Sequence, residues 1–119
     1  MKENVKALIV DDEEEIGFIV SRILAKQDIN ATYVDRIEKG KEKILNENFD
    51  LFYLDLHLPD GTGFDLVPEI RQQAEPNKIF FISAYDGVHE SERAAELKVD
   101  GFISKPFTKN DILNTLIEG

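Results

Sequence analysis

Five short apolar runs punctuate the chain: Val5–Val10, Ala31–Val34, Leu51–Leu54, Lys78–Ile82 and Gly101–Ile103. Most are continuous rather than alternating, the pattern of parallel strands buried on both faces. Between the runs the apolar residues change period. Ile16, Ile19, Val20, Ile23 and Leu24 form one stripe at helical spacing, and Ile37, Gly40, Ile44 and Leu45 a second. Phe64, Leu66, Val67 and Ile70 form a third, Val88, Ala94, Ala95 and Leu97 a fourth, and Ile112, Leu113, Leu116 and Ile117 a fifth. Strand and helix thus alternate five times, which predicts a (βα)5 chain folded as a three-layer α/β/α sandwich around a five-stranded parallel sheet.

Two positions resist regular helices. Pro68 lies inside the third stripe, where it removes a backbone donor and clashes one turn back, so that helix should start late or kink. Lys98 falls where the fourth helix stops, a place at which glycine commonly supplies a left-handed residue, and that end should be slightly strained.

Length and composition narrow the picture. The 119 residues suffice for one core, and 42% hydrophobic with 32% charged residues suits a globular protein. A formal net charge of -10 repels phosphodiester backbones and anionic headgroups, arguing against direct nucleic-acid or membrane-surface binding. The chain has no cysteine, so disulfides, thiolate catalysis and thiolate-bound metals are excluded, and a metal would use oxygen donors or His57 and His89. Met1–Val10 lacks the apolar core and cleavage site of a signal peptide, and no run approaches the roughly 20 residues of a membrane span. A cytoplasmic location is the expectation.

In open α/β sheets ligands bind outside the carboxyl ends of the strands. Asp11 and Asp12 follow the first strand, and the plain reading makes them helix-capping acids ahead of Glu13, Glu14 and Glu15. Two carboxylates at a strand end also make a site for a hard cation. Asp55 interrupts a run otherwise fit for a central strand, so either the strand ends there or the charge has a partner. In a parallel sheet Asp12 and Asp55 emerge at the same edge, where Mg2+ would relieve their repulsion. Ser83 ends the fourth strand and Lys105 follows the fifth. Each alone is ordinary turn or surface chemistry; together, acids, hydroxyl and ammonium converge on one rim. Asp55 can then act as a nucleophile toward phosphorus, with Ser83 and Lys105 serving phosphoryl oxygens. His57, two residues past Asp55, reads most simply as a loop residue.

With these residues in place the sequence resembles the response-regulator receiver family over essentially its whole length. The motifs that carry the resemblance are Leu8-Ile9-Val10-Asp11-Asp12-Glu13, Leu54-Asp55-Leu56-His57-Leu58-Pro59-Asp60-Gly61, Ser83-Ala84 and Lys105-Pro106-Phe107, in this order and at these intervals. The resemblance implies one receiver domain over residues 1–119, with a flavodoxin-like strand order 2-1-3-4-5. It implies phosphorylation of Asp55, an acidic pair Asp11 and Asp12 with Asp12 as the direct Mg2+ ligand, and a further ligand in the backbone carbonyl of His57. Ser83 would be the switch hydroxyl, Lys105 the phosphate-binding lysine before a cis proline, and Phe102 the switch aromatic. It also implies a sensor histidine kinase or phosphotransfer protein as donor, and a downstream protein or attached output domain reading the face of helix four, strand five and helix five. His57 and Tyr85 occupy variable positions near the site, and Phe102 lacks the hydroxyl a tyrosine would offer.

Two rivals compete. A Mg2+-dependent phosphohydrolase of the haloacid-dehalogenase kind is suggested by Asp60-Gly61-Thr62, but wants an acid where His57 stands. A flavodoxin-like cofactor binder shares the architecture, but the acids from Asp11 to Glu15 would repel a flavin phosphate. The chain stops two residues after the fifth stripe, which leaves a stand-alone regulator and a receiver of a longer protein equally open.

Overall fold

The computed structural model describes residues 4–73, 76–84 and 88–117, with the backbone alone for 88–91. Five parallel strands, β1 (Val5–Val10), β2 (Ile29–Val34), β3 (Leu51–Asp55), β4 (Lys78–Ser83) and β5 (Gly101–Ser104), pair in the order β2-β1-β3-β4-β5. The helices are α1 (Glu14–Ala25), α2 (Ile37–Asn46), α3 (Val67–Ile70), α4 (Val88–Glu96) and α5 (Lys109–Asn114).

Alternation along the strands divides the core in two. Leu8, Val10, Phe52, Leu54, Ile79 and Phe81 face α2, α3 and α4, meeting Ile37, Ile44, Leu66, Val67, Ile70 and Ala94. Ala7, Ile9, Tyr53, Phe80, Ile82 and Ile103 face α1 and α5, meeting Val20, Leu24 and Ile112. The central strand β3 is buried throughout, which is why its sequence reads as a continuous run. β2 is an edge strand with a half-exposed middle, and it begins two residues before the predicted run.

Pro68 acts as expected. A single 3-10 stretch, Gly63–Leu66, comes first, and α3 then begins with the proline in its opening positions, where its missing N–H costs nothing. Lys98 takes the left-handed conformation (φ 57°) at the end of α4. Some stripe residues face water instead of the core: Ile19, Leu45 and Ala95 are exposed, and α5 ends before Ile117, itself 68% exposed.

Candidate functional site at the carboxyl edge of the sheet

Asp11 is the first residue past β1, and its carboxylate is fully buried. Its N–H continues the pairing to the Val34 carbonyl at 3.2 Å, while its carbonyl accepts the Tyr33 hydroxyl at 2.6 Å. Asp11 Oδ1 accepts the Glu13 N–H at 2.8 Å, closing a turn ahead of α1, whose N-cap residue Glu13 has no side-chain cap, so the helix-capping reading of these acids is not met. Asp12 is exposed, with a carboxylate oxygen on the same side as those of Asp11 and Asp55.

Asp55 closes β3 and is 4% exposed. Its Oδ1 accepts the His57 N–H at 3.3 Å. Gly63 returns so close behind it that a Cβ there would lie 2.4 Å from the Asp55 carbonyl oxygen. The charge foreseen as needing a partner has one: Lys105 Nζ lies 3.5 Å from Asp55 Oδ2, 3.0 Å from Asp11 Oδ2 and 3.6 Å from Glu13 Oε2. The Lys105 ammonium is the cation that meets the buried Asp11 Oδ2, and it is shared with Asp55 and Glu13. Lys105 is held by its own N–H on the Ser83 carbonyl at 2.8 Å, and the Lys105–Pro106 peptide is cis. Ser83 is fully buried, opposite Ser104 in the β4–β5 register.

Charge is out of balance here. One oxygen each from Asp11, Asp12 and Asp55 fall within 4.8 Å of one another, facing one ammonium among them. Burial, and then the Asp11 charge, push the Asp55 carboxyl up to about 6 against the pull of Lys105. Burial likewise raises Asp11, partly countered by the Glu13 amide and Lys105. Burial works against the Lys105 ammonium, but its acidic neighbours outweigh that and hold it above its usual value. Burial and the nearby carboxylates push Tyr33 up to about 12, so its hydroxyl stays a donor. An all-oxygen donor set of three clustered carboxylates, with one ammonium shared among them, fits a hard divalent cation such as Mg2+ or Ca2+.

Of the other residues singled out, His57 is exposed and meets the site through its backbone N–H. Phe102 is half-buried on the α2–α4 side, paired in register with Phe81. Tyr85, and the side chain of His89, lie outside the described residues. Asp60, which suggested the phosphohydrolase, is engaged elsewhere: the Leu58–Gly61 turn presents its carboxylate to the start of α2, where it accepts the Ile37 and Glu38 N–H groups at 2.8 and 3.0 Å. The amide of Thr62 in the same motif is taken by Asp65 at 3.1 Å. Tyr33 escaped the sequence reading, since a tyrosine on an edge strand carries no local sign of a partner 22 positions away.

A sheet of this order, with an acidic cluster and a largely buried lysine at its switch-point edge, defines a doubly wound α/β domain whose charged site lies where such sheets bind ligands. The family model described as the response regulator receiver domain matches residues 7–117, and the chain belongs to that family, the receiver domains of two-component response regulators. It is 33% identical over 101 residues to the response regulator protein PilR of Pseudomonas aeruginosa, covering 85% of this chain and 23% of that protein. It is 36% identical over 107 residues to the sensory transduction protein LytR of Staphylococcus haemolyticus, covering 87% of this chain and 40% of that protein. The chain therefore spans less than half the length of these relatives. Among solved structures, the non-phosphorylated HemR receiver domain of Leptospira biflexa superposes with a TM-score of 0.85 at 32% identity, covering 95% of this chain and 91% of that one.

Proposed function

We propose that residues 1–119 form one receiver domain, in which Asp55 accepts a phosphoryl group from a histidine of a sensor kinase or phosphotransfer protein. The observation that carries this is the carboxylate of Asp55, nearly buried at the strand end, 3.5 Å from Lys105 and clustered with Asp11 and Asp12. An Asp55 oxygen attacks phosphorus, the N–P bond of the donor phosphohistidine breaks, and the imidazole leaves with the electron pair. Lys105 pairs with one phosphoryl oxygen and the Ser83 hydroxyl donates to another. Asp11, Asp12, Asp55 and the backbone carbonyl of His57 would hold Mg2+, which supplies positive charge to the phosphoryl oxygens when bound. The chemistry is confined to this chain's own aspartate and its later hydrolysis, with no outside substrate to turn over.

The donor protein would approach beside this edge. α1 starts two residues after Asp12 and α5 four residues after Lys105, and a groove between them is lined by Phe18, Ile19 and Ile23 and rimmed by Arg22, Lys26 and Lys109. Phe18 is 64% exposed there, under Arg22. In a chain of net charge -10, this apolar, basic-rimmed groove fits an amphipathic helix with acidic flanks. On the other side, inward movement of the Ser83 hydroxyl toward the phosphoryl group frees volume for Phe102 to rotate, changing the α4-β5-α5 face read by a downstream protein or attached output domain. Among the described residues no helix is long and apolar enough to cross a membrane; the negative charge disfavours nucleic acid, and a cytoplasmic site of action fits both.

The test is phosphorylation by acetyl phosphate or phosphoramidate with Mg2+. Intact-mass spectrometry is expected to show one phosphoryl group, absent from Asp55→Asn and suppressed by chelator. Equal labelling of Asp55→Asn would overturn the assignment.

A further inference from the structure

We propose that Tyr33 is a positioning residue for the acidic pair: its hydroxyl, reaching over from β2, locks the backbone between Asp11 and Asp12 and so aims both carboxylates at the cation. This rests on the reading of the site given above.

Asp11 has left the β1–β3 ladder, whose last paired residues are Val10 and Leu54, so the third strand gives its backbone no support. Its N–H is taken by Val34, and its carbonyl is taken by the Tyr33 hydroxyl at 2.6 Å. That carbonyl belongs to the planar peptide joining Asp11 to Asp12, so fixing it fixes the direction in which Asp12 departs. Together with the Glu13 N–H on Asp11 Oδ1, three contacts hold one turn of chain.

A second position is given over to the same contact. Gly17 sits buried in the first half of the twelve-residue helix α1, where glycine costs about 0.5–1 kcal/mol relative to alanine. A Cβ at Gly17 would lie 2.3 Å from Cδ1 and 2.5 Å from Cε1 of the Tyr33 ring. The helix gives up a side chain so that the ring can lie against it. Filling space alone would ask only for the ring; the hydroxyl bond is what phenylalanine could not supply.

Tyr33→Phe removes that bond and keeps the ring. Mg2+ affinity, followed by calorimetry and by the titration shifts of the Asp12 and Glu13 amides, is expected to fall about 2- to 10-fold, the range of an ordinary net hydrogen bond. Phosphorylation by acetyl phosphate should slow at limiting Mg2+ and return to within about 2-fold of the parent at saturating Mg2+. Gly17→Ala, which keeps the hydroxyl but displaces the ring, should weaken Mg2+ similarly, and the double variant should be no worse than the weaker single one, since both act through one contact. If Tyr33→Phe binds Mg2+ like the parent, or loses stability in chelator with affinity unchanged, the residue is only structural and the proposal is wrong. If the parent chain itself binds no Mg2+, the reading of the site fails instead, an outcome seen before any variant is made.

Discussion

At the amino ends of the strands the part-buried carboxylates and amides mostly pair with backbone groups, Asn77 Nδ2 before β4 being the exception. Asp50 accepts the Lys6 N–H at 2.9 Å and returns its own N–H to the Lys6 carbonyl, and Asp100 makes the same reciprocal pair with Ile79. Gln73 joins three backbone groups, accepting the Phe49 N–H and donating to the Ile44 and Glu47 carbonyls at 2.7 and 2.6 Å. At the carboxyl ends of the same strands, the carboxylates of Asp11, Glu13 and Asp55 converge on the one ammonium of Lys105, with Asp12 clustered beside them. The contrast separates the two demands on one sheet. The amino rim completes the fold, whereas the carboxyl rim carries an excess of negative charge of the kind a divalent cation offsets.

Paired substitutions probe this division. Gln73→Ala strands up to three partly buried backbone groups and is expected to lower stability by about 2–3 kcal/mol in urea denaturation, while acetyl phosphate labels Asp55 at the parent rate. Asp55→Asn is expected to do the reverse. It abolishes labelling, yet raises stability at neutral pH in chelator by about 1–2 kcal/mol, because a buried charge among like charges is removed and Lys105 keeps Asp11 and Glu13. If both variants destabilise, the carboxyl rim holds no stored repulsion and the comparison collapses.

The sheet and most of the site were legible because their causes are local. A strand buried on both faces must be continuously apolar, and a charge breaking that run, as Asp55 does, must end the strand or meet a partner. Pro68 and Lys98 announced their backbone geometry for the same reason. The exposure of Leu45 and Ile19 was not legible, since periodicity names a stripe without saying how far the sheet beneath it extends. Gln73, Tyr33 and Asp60 were missed or misread because each acts across at least 22 positions, on backbone groups that only the folded register brings near. Asp60 in particular stood in a motif with a catalytic look, and its real partner is the opening turn of α2.

The smallest expected effect lies at a strained backbone position on the amino rim. Two described residues other than glycine have positive φ, and both lie where a helix turns back toward the start of a strand: Asp28 at 61° before β2 and Lys98 at 57° before β5. Aspartate tolerates this region because its short side chain can bond locally; lysine has no such compensation. Lys98 is nonetheless committed, because the Val99 N–H closes on the Ala94 carbonyl at 3.4 Å and the Lys98 N–H on Ala95 at 3.1 Å, the pattern that requires a left-handed residue after a helix. Arg71 fastens the same turn from α3, donating through Nη2 to the Leu97 and Lys98 carbonyls at 2.9 and 3.1 Å. The surrounding contacts are thus satisfied and only the Cβ is misplaced. Lys98→Gly removes it, relieving roughly 1 kcal/mol of backbone strain, against which the freer unfolded chain takes back about half. A gain of about 0.5 kcal/mol in urea is expected, with Asp55 labelling unchanged. Lys98→Ala, which deletes the long charged chain but keeps the Cβ, should show no gain. An equal gain from alanine would locate the flaw in the lysine side chain rather than in the left-handed backbone.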